Sequence, residues 1–571
     1  MSLLRAVPHP AVRGRFSRAR IRSLVTPTRL DWVVGGVVLL VYAVVQLVLL
    51  LGPHPFDPAR YFRTSFDFPD VNPNLWTLRT GLMAPVRLAV AVLGPSEAAL
   101  YAVPLAVGLL LAGAVYATTL ILFGERLVAA AAALVTVLNA NFLLNSSFIF
   151  PDTAATATFA AGFFFLVLGG MAAWSERLGG RAPAVAAVLA GLLFGWTYLI
   201  REFSPVLLPV VVAALVILHY PVRRALLVAG AAVGVGALEL LYGLLIFDRP
   251  FIHLDLLLDR GDRSARGTKG FRVDYIQGQV DDPLDAILVL PRLLLSWQTG
   301  WLVLALVAVF VAALVVLRRE RRLWILGAWC FGFWAVMVLL PFLPTPSGRW
   351  LLNVTNIRYW YPLFPALAMG SFGGLLLLLR TFPPPPRFAF LVPTAAPLLA
   401  AVVLVPGLVE FDRCAGRELW RNDPAERWDD LREWFATPEA DRYRTVRTDQ
   451  DSARLLPAYI RTTFGHPLWS GRIRTFSVRA RNVAPSNPDG ALLLLHRDRM
   501  QGLPNVEQRL RELAGDWAPV FVSEDERMVV LAYRPPASAR VAPGLEWWRR
   551  ELPPPEQTQG CGLSPYEPPA R

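Results

Sequence analysis

Asp57, Arg60 and Tyr61 fall within five residues, in Gly-Pro-His-Pro-Phe-Asp-Pro-Ala-Arg-Tyr-Phe, directly after an apolar run from Trp32 to Leu51. That run is long enough to cross a bilayer, so the cluster stands at a membrane surface. Ionisable groups so close to hydrocarbon are costly, and their presence there points to function. The set suits holding an anionic lipid headgroup on Arg60 while Asp57 handles a proton. The competing reading of Asp57 is a turn residue before Pro58 or a helix N-cap. Arg60 and Tyr61 beside it, with Arg79 and Arg87 later in the same loop, weigh toward chemistry.

Other charged residues stand at the ends of apolar runs. Asp152, in Phe-Ile-Phe-Pro-Asp-Thr, is either a second carboxylate of the site or a helix-start residue after Pro151. Arg79 and Arg87 either snorkel to the interface or bind a lipid phosphate. Arg201-Glu202, at a span junction, is a local ion pair or part of a substrate loop. Arg358 precedes the aromatic run Tyr359-Trp360-Tyr361. An arginine beside such a belt on the external side opposes the positive-inside bias, which favours function. Lys269 lies in a Gly-rich charged loop that reads as a mobile lid or a solvated loop. It is no P-loop, since it lacks the Gly-Lys-Ser/Thr order. Asp67 and Asp70, among Pro and Asn, read as turn formers. Glu239 is the odd acid inside a span.

The elements that must position these groups are membrane helices. The chain has 571 residues, is 55% hydrophobic and has a mean hydropathy of +0.44. Apolar runs predict about eleven spans, at 32–51, 97–122, 127–145, 152–174, 183–200, 203–219, 224–247, 297–317, 323–343, 362–380 and 388–411. Segment 284–296, interrupted by Pro291 and Arg292, reads as re-entrant, interfacial or an extension of the next span. The first thirty residues carry seven arginines and no acid, and form a basic cytoplasmic tail ahead of an uncleaved first helix. Short even-numbered connections, such as the cluster from Arg318 to Arg322, then face the cytoplasm. The odd ones, 52–96 first among them, face outward. Within that loop Leu75 to Leu93 reads as an interfacial helix.

From residue 412 to 535 charge rises and apolar segments shorten. Strands are expected at 443–447, 491–496, 519–523 and 528–533, and helices at 424–436, 450–462 and 504–514. This alternation predicts a small extracytoplasmic α/β domain, followed by a Pro-rich disordered tail at 536–571. Lys269 is the only lysine, so nearly all of the positive charge behind the net +13 is arginine, much of it at span ends, and nucleic acid is not an expected partner. Cys330, Cys414 and Cys561 lie far apart and indicate neither a disulfide framework nor a metal site.

Asp-Pro-Ala-Arg-Tyr (Asp57 to Tyr61) after a first span resembles the Asp-(Glu/Pro)-Ala-Arg-Tyr motif of the GT-C glycosyltransferases. These are polytopic enzymes such as protein O-mannosyltransferases and lipid A aminoarabinose transferases. The stretch from Leu78 to Gly94 is similar to the helices after that motif, and Phe150 to Thr153 to the second acidic loop. Arg358-Tyr359 through Pro362 and Pro365 resembles the Arg-Tyr-x-x-Pro-x-x-Pro stretch near the end of the membrane core. The resemblance covers residues 30–380. Two features depart from relatives: Pro58 stands where protein O-mannosyltransferases have a second acid, and Trp547-Trp548 is followed by Arg549 rather than Asp.

The resemblance implies an α-helical polytopic membrane core (31–411) on the GT-C plan, in a bacterial plasma membrane. The implied donor is a polyprenyl-phosphate sugar and the acceptor an extracytoplasmic glycan, lipid or protein. Asp57 is then the general base of an inverting transfer, with Asp152 helping to hold acceptor or sugar. Arg60, Arg79 and Arg358 neutralise the leaving phosphate and Tyr61 orients it. No cofactor or metal is implied. The rival classes are a lipid or sugar transporter, which needs charge near mid-span, and a non-catalytic envelope scaffold.

Overall fold

The computed structural model describes residues 28–54, 57–74, 76–171, 181–201, 204–253, 255–256, 283–339, 344–345, 348–349, 357–415, 425–476, 490–496 and 516–540. The basic tail, Glu202, Lys269 and its loop, the helix expected at 504–514 and the Pro-rich tail beyond residue 540 lie outside these residues.

The helices follow the apolar runs. In chain order they are α1 (Arg29–Val48), α2 (Asp57–Thr64), α3 (Thr80–Leu93), α4 (Glu97–Phe123), α5 (Arg126–Leu138), α6 (Ala140–Ser146), α7 (Pro151–Gly170), α8 (Ala182–Ile200), α9 (Leu208–Ile217), α10 (Val222–Phe247), α11 (Pro283–Leu294), α12 (Gly300–Val316), α13 (Arg321–Leu339), α14 (Leu363–Thr381) and α15 (Leu391–Ala415). Among the described residues eight are long and apolar enough to cross a membrane, or nine if α5 and α6, bent by 59°, are one span. The other two expected spans are shorter apolar helices, Ser204–Ile217 and Gly300–Val316. Segment 284–296 forms the separate short helix α11. The interfacial helix begins at Thr80, five residues later than its apolar pattern suggests, because Asn74 and Thr77 bind each other and the Trp76 amide in turns ahead of it.

Local chemistry sets the breaks. Ser96 caps α4 by accepting from the Ala99 amide, and Gly124 ends it in the left-handed region at φ 68°. Asn139 does both tasks at one position. Its amide donates to the carbonyls of Val135 and Thr136, closing α5, while its side-chain oxygen accepts from the Phe142 amide and starts α6.

Beyond α15 come α16 (Ala425–Phe435) and α17 (Gln450–Tyr459) with a five-stranded sheet of order β4-β3-β5-β7-β6. Its strands are β3 (Thr445–Thr448), β4 (Arg472–Thr475), β5 (Ala491–His496), β6 (Trp517–Val522) and β7 (Met528–Tyr533), and a short hairpin β1 (Pro344–Thr345) and β2 (Gly348–Arg349) stands apart from it. β3 runs parallel to β4 and β5, whereas β7 is antiparallel to β5 and β6. β5 reads Ala-Leu-Leu-Leu-Leu-His and is buried on both faces, as a central strand should be. The sheet and its helices share a core with the loop after α1: Ala59, Tyr61, Phe62, Leu82 and Met83 pack with Trp428, Leu431, Leu455, Leu456 and Tyr459. An ion pair between Arg432 of α16 and Glu97 of α4, at 2.6 Å and mostly buried, ties the same halves together.

Cys414 is disulfide-bonded and Cys330 is buried and free. This corrects the expectation that the cysteines form no disulfide. Three cysteines scattered through the chain carry no spacing signature of one bond.

Small residues allow the helices to pack closely. On α8, a Cβ at Gly191 would lie 2.2 Å from the Val228 carbonyl oxygen, and one at Gly195 2.6 Å from Val235 Cβ. Gly191 and Gly195 therefore let α8 and α10 approach backbone to backbone, as small residues four apart do in membranes. Gly195→Val is expected to destabilise the protein by about 1–3 kcal/mol through overpacking. Its apparent melting temperature in detergent should fall by several degrees; an unchanged value would rule out the close contact.

Candidate active site

The motif residues lie on α2, which starts at Asp57. Pro58, Ala59, Tyr61 and Phe62 turn into the shared core, leaving Asp57 and Arg60 half-buried at its edge. Trp76 holds both. Its indole N–H donates to Asp57 Oδ1 at 3.1 Å, and the Arg60 guanidinium lies 4.1 Å from the centre of its ring. Among the described residues no carboxylate pairs with Arg60 and no donor takes the second Asp57 oxygen. Tyr61 is fully buried, and its hydroxyl accepts from Arg79 Nη1. Arg79 thus serves the phenol from behind. Arg87 donates to the Phe66 carbonyl and holds the loop, away from this group.

A second group forms around Asp152, in the first turn of α7 and only 2% exposed. Arg201 Nε approaches Asp152 Oδ1 at 3.1 Å and Arg358 Nε approaches Oδ2 at 3.6 Å. These are charge contacts without hydrogen-bond alignment, so both buried carboxylate oxygens keep their capacity to accept. Arg201 pairs across helices with Asp152. The α7–α8 register that brings them together is set one turn lower, where the Thr158 and Thr197 hydroxyls meet at 3.0 Å. Among the described residues no group of three or more His, Cys, Asp or Glu side chains is placed to hold a metal ion.

Arg358 bridges the two groups. It sits on the turn Ile357–Trp360, just before α14, 5.1 Å from the Phe150 ring centre. Burial opposes its charge, but Tyr359, Asp152 and Asp57 outweigh that and push its pKa up. Asp57 and Asp152 thus act on one guanidinium. Tyr359 lies under both arginines, 5.0 Å from Arg201 and 5.4 Å from Arg358. Burial pushes its phenol up, yet the two cations win and hold it below the ordinary tyrosine value.

Polar contacts behind the site fix its parts. Tyr361 accepts from Asn145 Nδ2 and donates to the Asn141 carbonyl, both at 2.6 Å, which anchors the Arg358 turn on the bent helix α6. Gln46 of α1 bonds Ser146 and Ser147, while Ser147 also takes the Leu51 amide. The loop leading to Asp57 is thereby joined to the loop leading to Asp152. His54 stands edge-on between Phe148 and Phe150 in the same joint. Trp76, Tyr359 and His54 were not singled out from sequence. Trp76 and His54 had a usable signal, since both lie in the loop that carries the motif.

Comparison with known proteins gives structural likeness only. No family model matches the sequence, and no curated protein matches it. Among solved structures, ArnT from Cupriavidus metallidurans in the apo state aligns with a TM-score of 0.56 and 16% identity, covering 90% of this chain and 99% of that one. The same protein bound to undecaprenyl phosphate gives 0.52 and 18%, covering 90% and 100%. The chain has the GT-C fold. The Archaeoglobus fulgidus oligosaccharyltransferase in complex with Zn and sulfate aligns at 0.46 and 16%; the alignment spans 62% of its length and 76% of this chain.

The Asp152 contacts lead to a measurable expectation. Asp152→Asn leaves two guanidiniums facing each other in a buried place, which costs about 3–5 kcal/mol. The variant should melt well below the wild type, and adding Arg358→Gln should restore part of the loss. Equal melting temperatures for wild type and Asp152→Asn would exclude a structural role for the pairing.

Proposed function

We propose that the protein is a membrane glycosyltransferase that moves a sugar from a polyprenyl-phosphate donor to a hydroxyl of an extracytoplasmic acceptor, with inversion. The observation that carries this reading is Asp57, held by Trp76 through one oxygen and within the field of Arg358, beside an Arg60 that has no carboxylate partner among the described residues. ArnT, whose fold it shares, binds undecaprenyl phosphate. That class of ligand suits a site rich in guanidinium.

In the proposed step Asp57 takes the proton of the acceptor hydroxyl as its oxygen attacks the anomeric carbon from the face opposite the phosphate. The carbon–oxygen bond to phosphate breaks, and both electrons leave with polyprenyl phosphate. Arg60 and Arg358 stabilise the charge that develops there through charge-assisted contacts. The leaving group departs as an anion and needs no protonated acid, so one carboxylate suffices. Arg79 positions Tyr61, which orients the same phosphate. Asp152, with two buried oxygens able to accept, holds a hydroxyl of acceptor or sugar, flanked by Arg201. The scheme assigns no step to a metal ion.

Two observations support an extracytoplasmic site. Cys414 lies at the end of α15 that neighbours the start of α14, and so the Arg358 turn; disulfides persist outside the cytoplasm. The arginine-rich cluster from Arg318 to Arg322 marks the opposite, cytoplasmic end. The clustering of charge at helix ends also favours transfer over transport. Glu239, the exception, is paired with His253.

Asp57→Asn in membranes supplied with polyprenyl-phosphate sugars is expected to lower transfer about 10²–10⁴-fold, with undecaprenyl phosphate binding nearly unchanged. Full transferase activity in this variant would remove Asp57 from the role of base. Movement of lipid-linked sugar across vesicles without any transfer by the wild type would establish the transporter instead.

A further inference from the structure

Membrane helices form only part of the surroundings of Asp57 and Arg60. α17, which belongs to the C-terminal sheet region, packs on α2, and Leu455, Leu456, Ala458 and Tyr459 share a core with Ala59, Tyr61 and Phe62. Arg454 is the residue just before this buried run. Its side chain is 13% exposed, and its Nη1 donates to Asp451 Oδ1 at 2.6 Å, one turn back on the helix. That contact fixes the direction of a long side chain that would otherwise be free to turn.

The electrostatics agree with this placement. Burial and the charge of Arg60 both pull the Arg454 guanidinium down, while Asp451 and Asp57 act the other way. Arg454 therefore feels both Arg60 and Asp57. Two guanidiniums that act on each other in a partly buried place repel; the Trp76 ring faces Arg60, while Asp451 and Asp57 act on Arg454. An anion received by both would remove the repulsion.

We propose that Arg454 is a phosphate-binding residue of the active site, supplied by the C-terminal domain, which joins Arg60 on the phosphate of the donor. This rests on the transferase reading above. The donor phosphodiester carries one negative charge. When its bond to the anomeric carbon breaks, the departing monoester carries two. A second guanidinium acts most strongly as that second charge develops, so Arg454 contributes more to the transition state and product than to the bound donor. The C-terminal domain is then a part of the catalytic centre and not an appendage.

The test uses the full chain in nanodiscs, with undecaprenyl phosphate as the probe and a phosphate-bearing acceptor analogue as a second probe. Arg454→Gln is expected to weaken undecaprenyl phosphate binding about 10–100-fold. Arg454→Lys, which keeps the charge, should recover part of the loss, and both should melt as the wild type does. Unchanged undecaprenyl phosphate binding in Arg454→Gln overturns the proposal while leaving the transferase reading intact. Loss confined to the acceptor analogue overturns it too, since the anion then belongs to the acceptor. Equal loss in the Gln and Lys variants with a lowered melting temperature also overturns it, in favour of a packing role. A wild type that binds no undecaprenyl phosphate and transfers no sugar overturns the transferase reading itself.

Discussion

The site depends on one buried carboxylate. Asp152 begins α7, and the two guanidiniums that approach it come from the end of α8 and from the turn before α14. Three segments remote in sequence are thus pinned at one point by charge. A carboxylate this deep is tolerable only because it is compensated, and two arginines this deep are tolerable only because of it. The close α8–α10 packing and the Asn145–Tyr361 bond hold the arginines where the carboxylate needs them. The glycines in the span and the asparagines in the bend are therefore part of the same device as the charged residues.

Much of this was legible in the sequence, and the reason is physical. Hydrocarbon imposes a length and a composition on each crossing helix, so the apolar runs coincide with helices. The Asp57–Tyr61 cluster is local, and its cost beside a membrane makes it visible. What could not be read is pairing. Arg201 has an acid as its sequence neighbour, and nothing in the local sequence announces its contact with Asp152 on another helix. Trp76 looks like any interfacial aromatic until the loop folds and its N–H meets Asp57. β4, Arg-Ile-Arg-Thr, is an exposed edge strand with too little apolar pattern to be recognised, whereas β5, buried throughout, was plain.

The soluble sheet region and the loop after the first span are energetically one body. Tyr61 and Phe62 have no complete core without Leu455 and Tyr459, and Glu97 is paired with Arg432. The half-buried Arg60 and Asp57 stand at the rim of that core, so the geometry of the motif is inherited from residues on both sides of the membrane-embedded sequence.

That shared core has a consequence for biogenesis. The motif loop leaves the ribosome early and α17 leaves it late, after all the membrane helices have been made. Until the final segment has docked, Ala59, Tyr61 and Phe62 have only part of their lining, from residues such as Leu82 and Met83, and α2, only eight residues long, has little to hold it helical. The helices are therefore assembled before the core around the motif is complete, and a chain interrupted before α17 would be inserted and multi-pass with that core left open.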